Sequence, residues 1–237
     1  MRRSTVVLLL CTGLALLFVA GSAQAKHCSA WNLADDWDSS YLYPNQANPV
    51  ADSCENQVWS FLRFVPGTGY LPLDGYYRDY SFLGIDNYEN WQPVGAEWCD
   101  GYYQTCVPAV AKNFNDFPFT VQPGNITIPA NAVNMHPSPN QRAVVAWTSP
   151  INGHVMLSAT FTDIDFMGGD GVNWYVDTAE TQLATGFIPA QGVPANFSTE
   201  RLKVKQGDTF YFSIDSGNAG DLYYDSIQLD VVIAKVP

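Results

Sequence analysis

His154-Val155-Met156-Leu157-Ser158-Ala159-Thr160-Phe161-Thr162-Asp163 alternates without a break. Val155, Leu157, Ala159 and Phe161 fall on one face, with Met156, Ser158, Thr160 and Thr162 on the other. A period of two is the period of a β-strand with one face buried. Phe210, Phe212 and Ile214 repeat it within Asp208–Asp215, and Ile227, Leu229, Val231 and Ile233 repeat it within Ser226–Ile233. Ala143–Trp147 and Val172–Val176 add two further strands. The breaks carry turn formers: Trp147-Thr148-Ser149-Pro150 with Gly153, Gly168-Gly169-Asp170-Gly171, Gln206-Gly207-Asp208 and Tyr224-Asp225-Ser226. Short alternating strands separated by such turns predict an all-β fold, an antiparallel β-sandwich or jelly roll.

The preceding region reads differently. From Lys26 to about Val110, Pro44, Pro49, Pro66, Pro72, Pro93 and Pro108 break up the chain, although Val58–Val65 and Tyr76–Leu83 have strand character. No segment keeps apolar residues at spacings of three and four, so little helix is expected. Phe114, Phe117 and Phe119 make the join too apolar for a flexible linker. The expectation is one domain over 26–237, with an irregular, aromatic-rich portion (26–118) packed on regular sandwich strands (119–237).

Residues 1–25 have the form of a secretory signal. Arg2 and Arg3 form the positive end, Val6–Ala20 the apolar stretch, and Ala23-Gln24-Ala25 the small-residue cleavage site. The apolar run is short for a bilayer span, so a secreted chain with no membrane span after cleavage is expected. Removing Cys11 leaves Cys28, Cys54, Cys99 and Cys106, an even count that argues for two disulfides in an exported protein. Three pairings exist; Cys28 with Cys54 and Cys99 with Cys106 close the shorter loops. No Cys-x-x-Cys pair is present and the three His are scattered, which argues against a zinc site. Without Arg2 and Arg3, nine Lys and Arg face 23 Asp and Glu, a net charge of −14. Such a surface repels nucleic acid and anionic membranes.

Met135-His136-Pro137, Trp147-Thr148-Ser149-Pro150, Gly168-Gly169-Asp170-Gly171-Val172, Gly207-Asp208 and Tyr224-Asp225-Ser226 together resemble a recurrent secreted bacterial β-sandwich module. Modules of this kind occur in surface proteins with a PEP-CTERM sorting tail and beside polysaccharide-degrading domains. Trp31–Trp37, Asn48-Pro49 and Val58-Trp59-Ser60 are similar to the opening segment of these modules. The resemblance implies fold more than function. Two departures stand out: an insertion carrying Cys54 precedes Trp59, and the sequence closes at Val236-Pro237 with no sorting tail, which puts cell-surface anchoring in doubt.

Five of seven Trp and nine of thirteen Tyr fall within 26–110. Flat rings with a polar tip suit the apolar faces and hydroxyl rims of sugars. Tyr76, Tyr77, Trp91, Trp98 and Tyr102 lie among Gly, Pro and Asp, where loops place binding residues, and are the expected ligand-binding set. The expected function is non-catalytic binding of extracellular polysaccharide. One alternative is a polysaccharide-active hydrolase or lyase using carboxylates among Asp35, Asp36, Asp38, Glu97 and Asp100; another is an extracellular matrix or cell-surface structural protein. No Gly-x-Ser-x-Gly turn offers a nucleophile, and Lys26 ahead of His27 argues against an N-terminal copper brace. Asp163, Asp165 and Asp170 in their glycine-rich turn, and Asp225 and Asp230 near the last strand, are candidate oxygen ligands for a structural Ca²⁺.

Overall fold

The computed structural model describes residues 28–38, 47–80, 85–95, 98–100, 105–121, 126–165, 168–217 and 221–237. The expected signal segment lies outside these. In chain order the elements are β1 (Ala30–Asn32), α1 (Leu33–Asp36), β2 (Val50–Ala51), β3 (Gln57–Val65), β4 (Gly69–Pro72), β5 (Gly75–Tyr80) and β6 (Ile85–Gln92). There follow β7 (Trp98–Asp100), β8 (Thr105–Val107), β9 (Ala109–Asn113), β10 (Phe119–Val121), β11 (Ile126–Ile128), β12 (Val133–His136) and β13 (Arg142–Thr148). The last are β14 (Gly153–Asp163), β15 (Val172–Thr178), β16 (Gln182–Ile188), β17 (Ala195–Val204), β18 (Thr209–Asp215) and β19 (Ile227–Val236).

Two antiparallel sheets face each other, as the alternation predicts. The first runs β17-β14-β19-β12-β9-β6-β5, with β1 also on β19. The second runs β16-β15-β18-β13-β3-β2, with β4 also on β3. Register aligns the inner rows. Tyr76, Trp91, Val110, Met135 and Ile227 stand opposite one another across the first sheet. Phe61, Val145, Phe212 and Val176 do so across the second. Trp31, Trp59, Trp147, Phe161 and Phe212 are fully buried between them. Phe161 meets Trp174 across the gap at 5.4 Å. Each such side chain contributes roughly 1.5–3 kcal/mol or more of burial energy.

The turn-rich N-terminal portion closes one end of this core. In α1, Asn32 caps the helix by accepting from Ala34 N at 3.0 Å, and Asp36 accepts from Asn32 N at 3.0 Å, a reciprocal cap. The helix ends at Trp37, whose ring lies 4.2 Å from Phe61. Lys112, buried and pointing inward from β9, donates to the carbonyls of Ala34 and Trp37 and so pins the segment to the sheet. The Cys28–Cys54 disulfide ties the start of this segment to the β2–β3 turn. Cys106 is disulfide-bonded as well, and the β7–β8 register sets Cys99 opposite it.

The outer face of β6, β9 and β12 is covered too. The β10–β11 hairpin lays Phe119, Val121 and Ile126 beside Tyr88, Ile128 and Ile164 in a second, smaller apolar cluster. Asn113 there donates to Pro129 O at 2.8 Å, and Gln92 accepts from Cys106 N at 2.8 Å. Among the described residues, no helix is long and apolar enough to cross a membrane.

Candidate functional site

The five rings expected to bind ligand do not form one exposed set. Trp91 requires correction: it lies in β6, is 4% exposed, and packs 6.2 Å from Phe61 in the core. Its neighbours Asn90 and Gln92 give it a loop-like context, but its inward register makes it core. Tyr76, on the same inner row, is half-buried and donates its hydroxyl to the buried Glu89. Tyr77 is exposed at 43% on the opposite face of β5. The side chain of Trp98 and the whole of Tyr102 lie outside the described residues. Of the carboxylates weighed for hydrolysis, Asp36 accepts from the Trp59 indole at 2.9 Å as well as from Asn32 N, a structural role. Asp35 and Asp38 act on the charge of Lys112.

A more coherent aromatic surface lies on the outer face of the second sheet. On β13, Ala143, Val145 and Trp147 face inward, so Arg142, Val144 and Ala146 face outward. Val144, Ala146 and Ser213 of β18 are nevertheless fully buried, and rings stand next to them in the register, Tyr211 opposite Ala146 and Tyr175 opposite Ser213. Tyr70 of β4 stacks on Tyr211 of β18 at 3.8 Å with 4° between planes. Phe64 sits 5.1 Å from Tyr70, and the Arg142 guanidinium lies 3.5 Å from the Tyr175 ring centre. These rings are partly exposed.

The polar groups of this face hold one another in place. Tyr175 donates to Asp215 at 2.7 Å, and Asn173 donates to its other oxygen at 2.9 Å. Arg142 lies 3.7 Å from Asp177 and 3.9 Å from Asp215. Burial, aided by Asp177, pushes the Tyr70 phenol up to about 12. Burial, aided by Asp215, does the same to Tyr175. Both phenols are therefore neutral donors at physiological pH. Tyr70 belongs to the aromatic N-terminal portion; Tyr175 and Tyr211 are outer-face residues of regular strands. The outward phase of Tyr211, between Phe210 and Phe212, was the signal in the sequence.

A second constellation gathers at the loops that follow β14 and precede β19. Asp163, Asp165, Asp170 and Asp225 come together there, joined by Asp221, which the sequence reading did not include. Asp163 Oδ1 accepts from Asp165 N at 2.9 Å and its Oδ2 from Gln191 N at 2.6 Å. Asp225 is 1% exposed. Burial, with the charges of Asp170, Asp221, Asp163 and Asp165, pushes its carboxyl up to about 8. Asp230 stands apart: it is exposed on β19 opposite Thr160 and accepts from Gln228 at 2.9 Å. A group formed by Cys28, Asp52 and Cys54 has metal-like spacing, but its sulfurs are spent in the disulfide.

No protein-family model matches the sequence, and no curated protein matches it. Solved structures give distant likenesses. The CBM51 module from Clostridium perfringens GH95, in complex with methyl-galactose, aligns with 68% of this chain and 100% of its own, at TM-score 0.36 and 7% identity. The tandem CBM51 modules of a family 98 glycoside hydrolase from Streptococcus pneumoniae align with 69% of this chain and 48% of theirs, at TM-score 0.39 and 10% identity. The secreted serine protease VesC from Vibrio cholerae aligns with 46% of this chain and 22% of its own, at TM-score 0.30 and 10% identity. At such scores these likenesses say nothing of what this chain binds; its two-sheet architecture stands on its own strands.

Proposed function

We propose that this chain is an exported β-sandwich that binds extracellular polysaccharide without transforming it. The observation that carries this reading is the outer face of the second sheet. Partly exposed Phe64, Tyr70, Tyr175 and Tyr211 lie there with Arg142, Asp177 and Asp215, where an ordinary solvent-facing sheet carries separate polar side chains. Rings supply apolar area for stacking, and fixed planar donors and acceptors supply orientation. The disulfides and the acidic surface suit an extracellular chain.

The test is binding to a panel of soluble and insoluble polysaccharides, with each bound glycan then analysed for products. Tyr211→Ala and Tyr70→Ala are expected to weaken binding about tenfold or more, on the scale of an aromatic anchor. Tyr211→Phe, which keeps the ring, should retain most of it. Absence of any glycan ligand, or wild-type binding by both Ala variants in folded protein, would overturn the reading. Released products would convert it to an enzyme.

A further inference from the structure

Among the described residues, Asp225 has the most anomalous side chain. Both of its carboxylate oxygens are buried and, among the described residues, neither has a hydrogen-bond partner. Burying a carboxylate is tolerated when a cation or several donors meet it, and otherwise costs several kcal/mol. The charges that weigh on Asp225 are instead carboxylates of the same sign: Asp170, Asp221, Asp163 and Asp165. Asp165 is itself buried, at 2% exposure. The segments that bring these five together can supply no positive side chain, since no Lys, Arg or His lies between His154 and Arg201 or between Lys205 and Lys235.

The surrounding backbone is tightly built. Ile164 N donates to Ser226 O at 3.0 Å, joining the loop after β14 to the residue beside Asp225. Gly169 has φ +97, and a Cβ on it would lie 3.0 Å from Tyr223 O. A Cβ on Gly217 would lie 2.2 Å from Gly171 O, next to Asp170. These two positions need glycine for the loops to approach this closely. Folding thus brings five acidic side chains of one sign to one place, and centres them on a carboxylate with no hydrogen-bond partner among the described residues.

We propose that this is a divalent-cation site, with Asp225 at its centre and Asp163, Asp165, Asp170 and Asp221 around it, and that its ion is calcium. Carboxylate-rich sets drawn from separate loops suit Ca²⁺, which accepts six to eight oxygens in irregular geometry, better than Mg²⁺, which demands a compact octahedron. The ion neutralises the repulsion and ties the β14–β15 loop, the β18–β19 loop and, through Asp163 and Gln191, the β16–β17 loop into one unit. The site is separate from the aromatic face and does not depend on the polysaccharide reading.

The experiment uses the whole secreted chain, stripped with chelator and titrated with CaCl₂ by calorimetry, with calcium counted by elemental analysis. One tightly held Ca²⁺ per chain is expected. At about a hundredfold excess over its Kd, calcium should raise the melting temperature by about 5–10 °C, with MgCl₂ giving a smaller rise. Asp225→Asn keeps the shape and removes the charge. It should melt higher than wild type in chelator and lose the calcium response. Asp221→Asn, at the exposed rim, should weaken calcium about tenfold and leave the chelated melt unchanged. A wild-type protein that takes up no calcium and whose melt ignores both cations would overturn the proposal, and would leave Asp225 as a buried neutral acid.

Discussion

Strands β14 and β6 belong to one sheet and turn their inner faces to one core, yet they are ordered by different means. On β14 the inner face is entirely apolar, with Val155, Leu157, Ala159 and Phe161 all buried, and the outer face carries Met156, Ser158 and Thr160. On β6 the inner face sets the carboxylate of Glu89 beside the ring of Trp91, and the outer face carries Tyr88, Asn90 and Gln92 beneath covering segments. Burial alone accounts for the first strand. The second needs specific partners as well: Tyr76 for Glu89, Asn134 for Tyr88, and Cys106 N for Gln92. The N-terminal portion thus trades non-directional burial for directed hydrogen bonds, which makes it more dependent on particular residues.

The sharpest way to break that contrast is to remove one tryptophan from each region. Trp91→Ala and Trp147→Ala should each cost roughly 3–5 kcal/mol in urea unfolding, because both indoles are buried between the sheets. Equal costs within a single cooperative transition mean that the two regions share one core. A loss below about 1 kcal/mol for Trp91→Ala, or a second transition, would show that the N-terminal strands are an appendage.

Lys112 gives a smaller effect with a sign that depends on pH. Burial pushes its ammonium down to about 8, against the raising pull of Asp35, Asp38, Glu89 and Asp36. Lys112→Met leaves the carbonyls of Ala34 and Trp37 without their donor, a loss of about 1–3 kcal/mol. Between about 8 and the ordinary lysine value of 10.5, the unfolded chain keeps this proton and the folded chain has released it. Stability therefore rises with pH across that window through this group. The urea midpoint of wild type relative to Lys112→Met should climb from pH 8 to 10.5; a flat or falling difference would place the ammonium in water.

The same contrast explains what could be read from the chain. β14, β18 and β19 are legible because one face meets apolar core and the other does not, so the sequence alternates. The stretch 88–92 is hidden because both of its faces are covered and both carry polar groups that find partners after folding. Lys112, a lone cation in an apolar run, gives no local sign that a four-residue helix waits above it. At the acidic loops, the glycines and alternating Asp163 and Asp165 were readable, and so was Asp225. Asp221 was not, since its place depends on how two distant loops pack. Tyr211 could be phased outward, but its stacking on Tyr70 joins residues 141 positions apart, which no local pattern records.

The smallest expected effect separates two adjacent rings. Tyr76 and Tyr77 alternate across β5, so one faces the core and the other faces solvent. Tyr76→Ala removes a half-buried ring and leaves the buried Glu89 without its phenol, a loss of about 1–3 kcal/mol. Tyr77, exposed at 43%, has little burial to lose, and Tyr77→Ala should shift stability by no more than about 0.5 kcal/mol. Polysaccharide binding is the second readout. With the binding face on the second sheet, Tyr77→Ala should bind as wild type does while Tyr211→Ala does not. If Tyr77→Ala weakens binding at unchanged stability, recognition sits on the N-terminal strands instead, and the stacked rings of Tyr70 and Tyr211 are a covering layer for Val144 and Ala146.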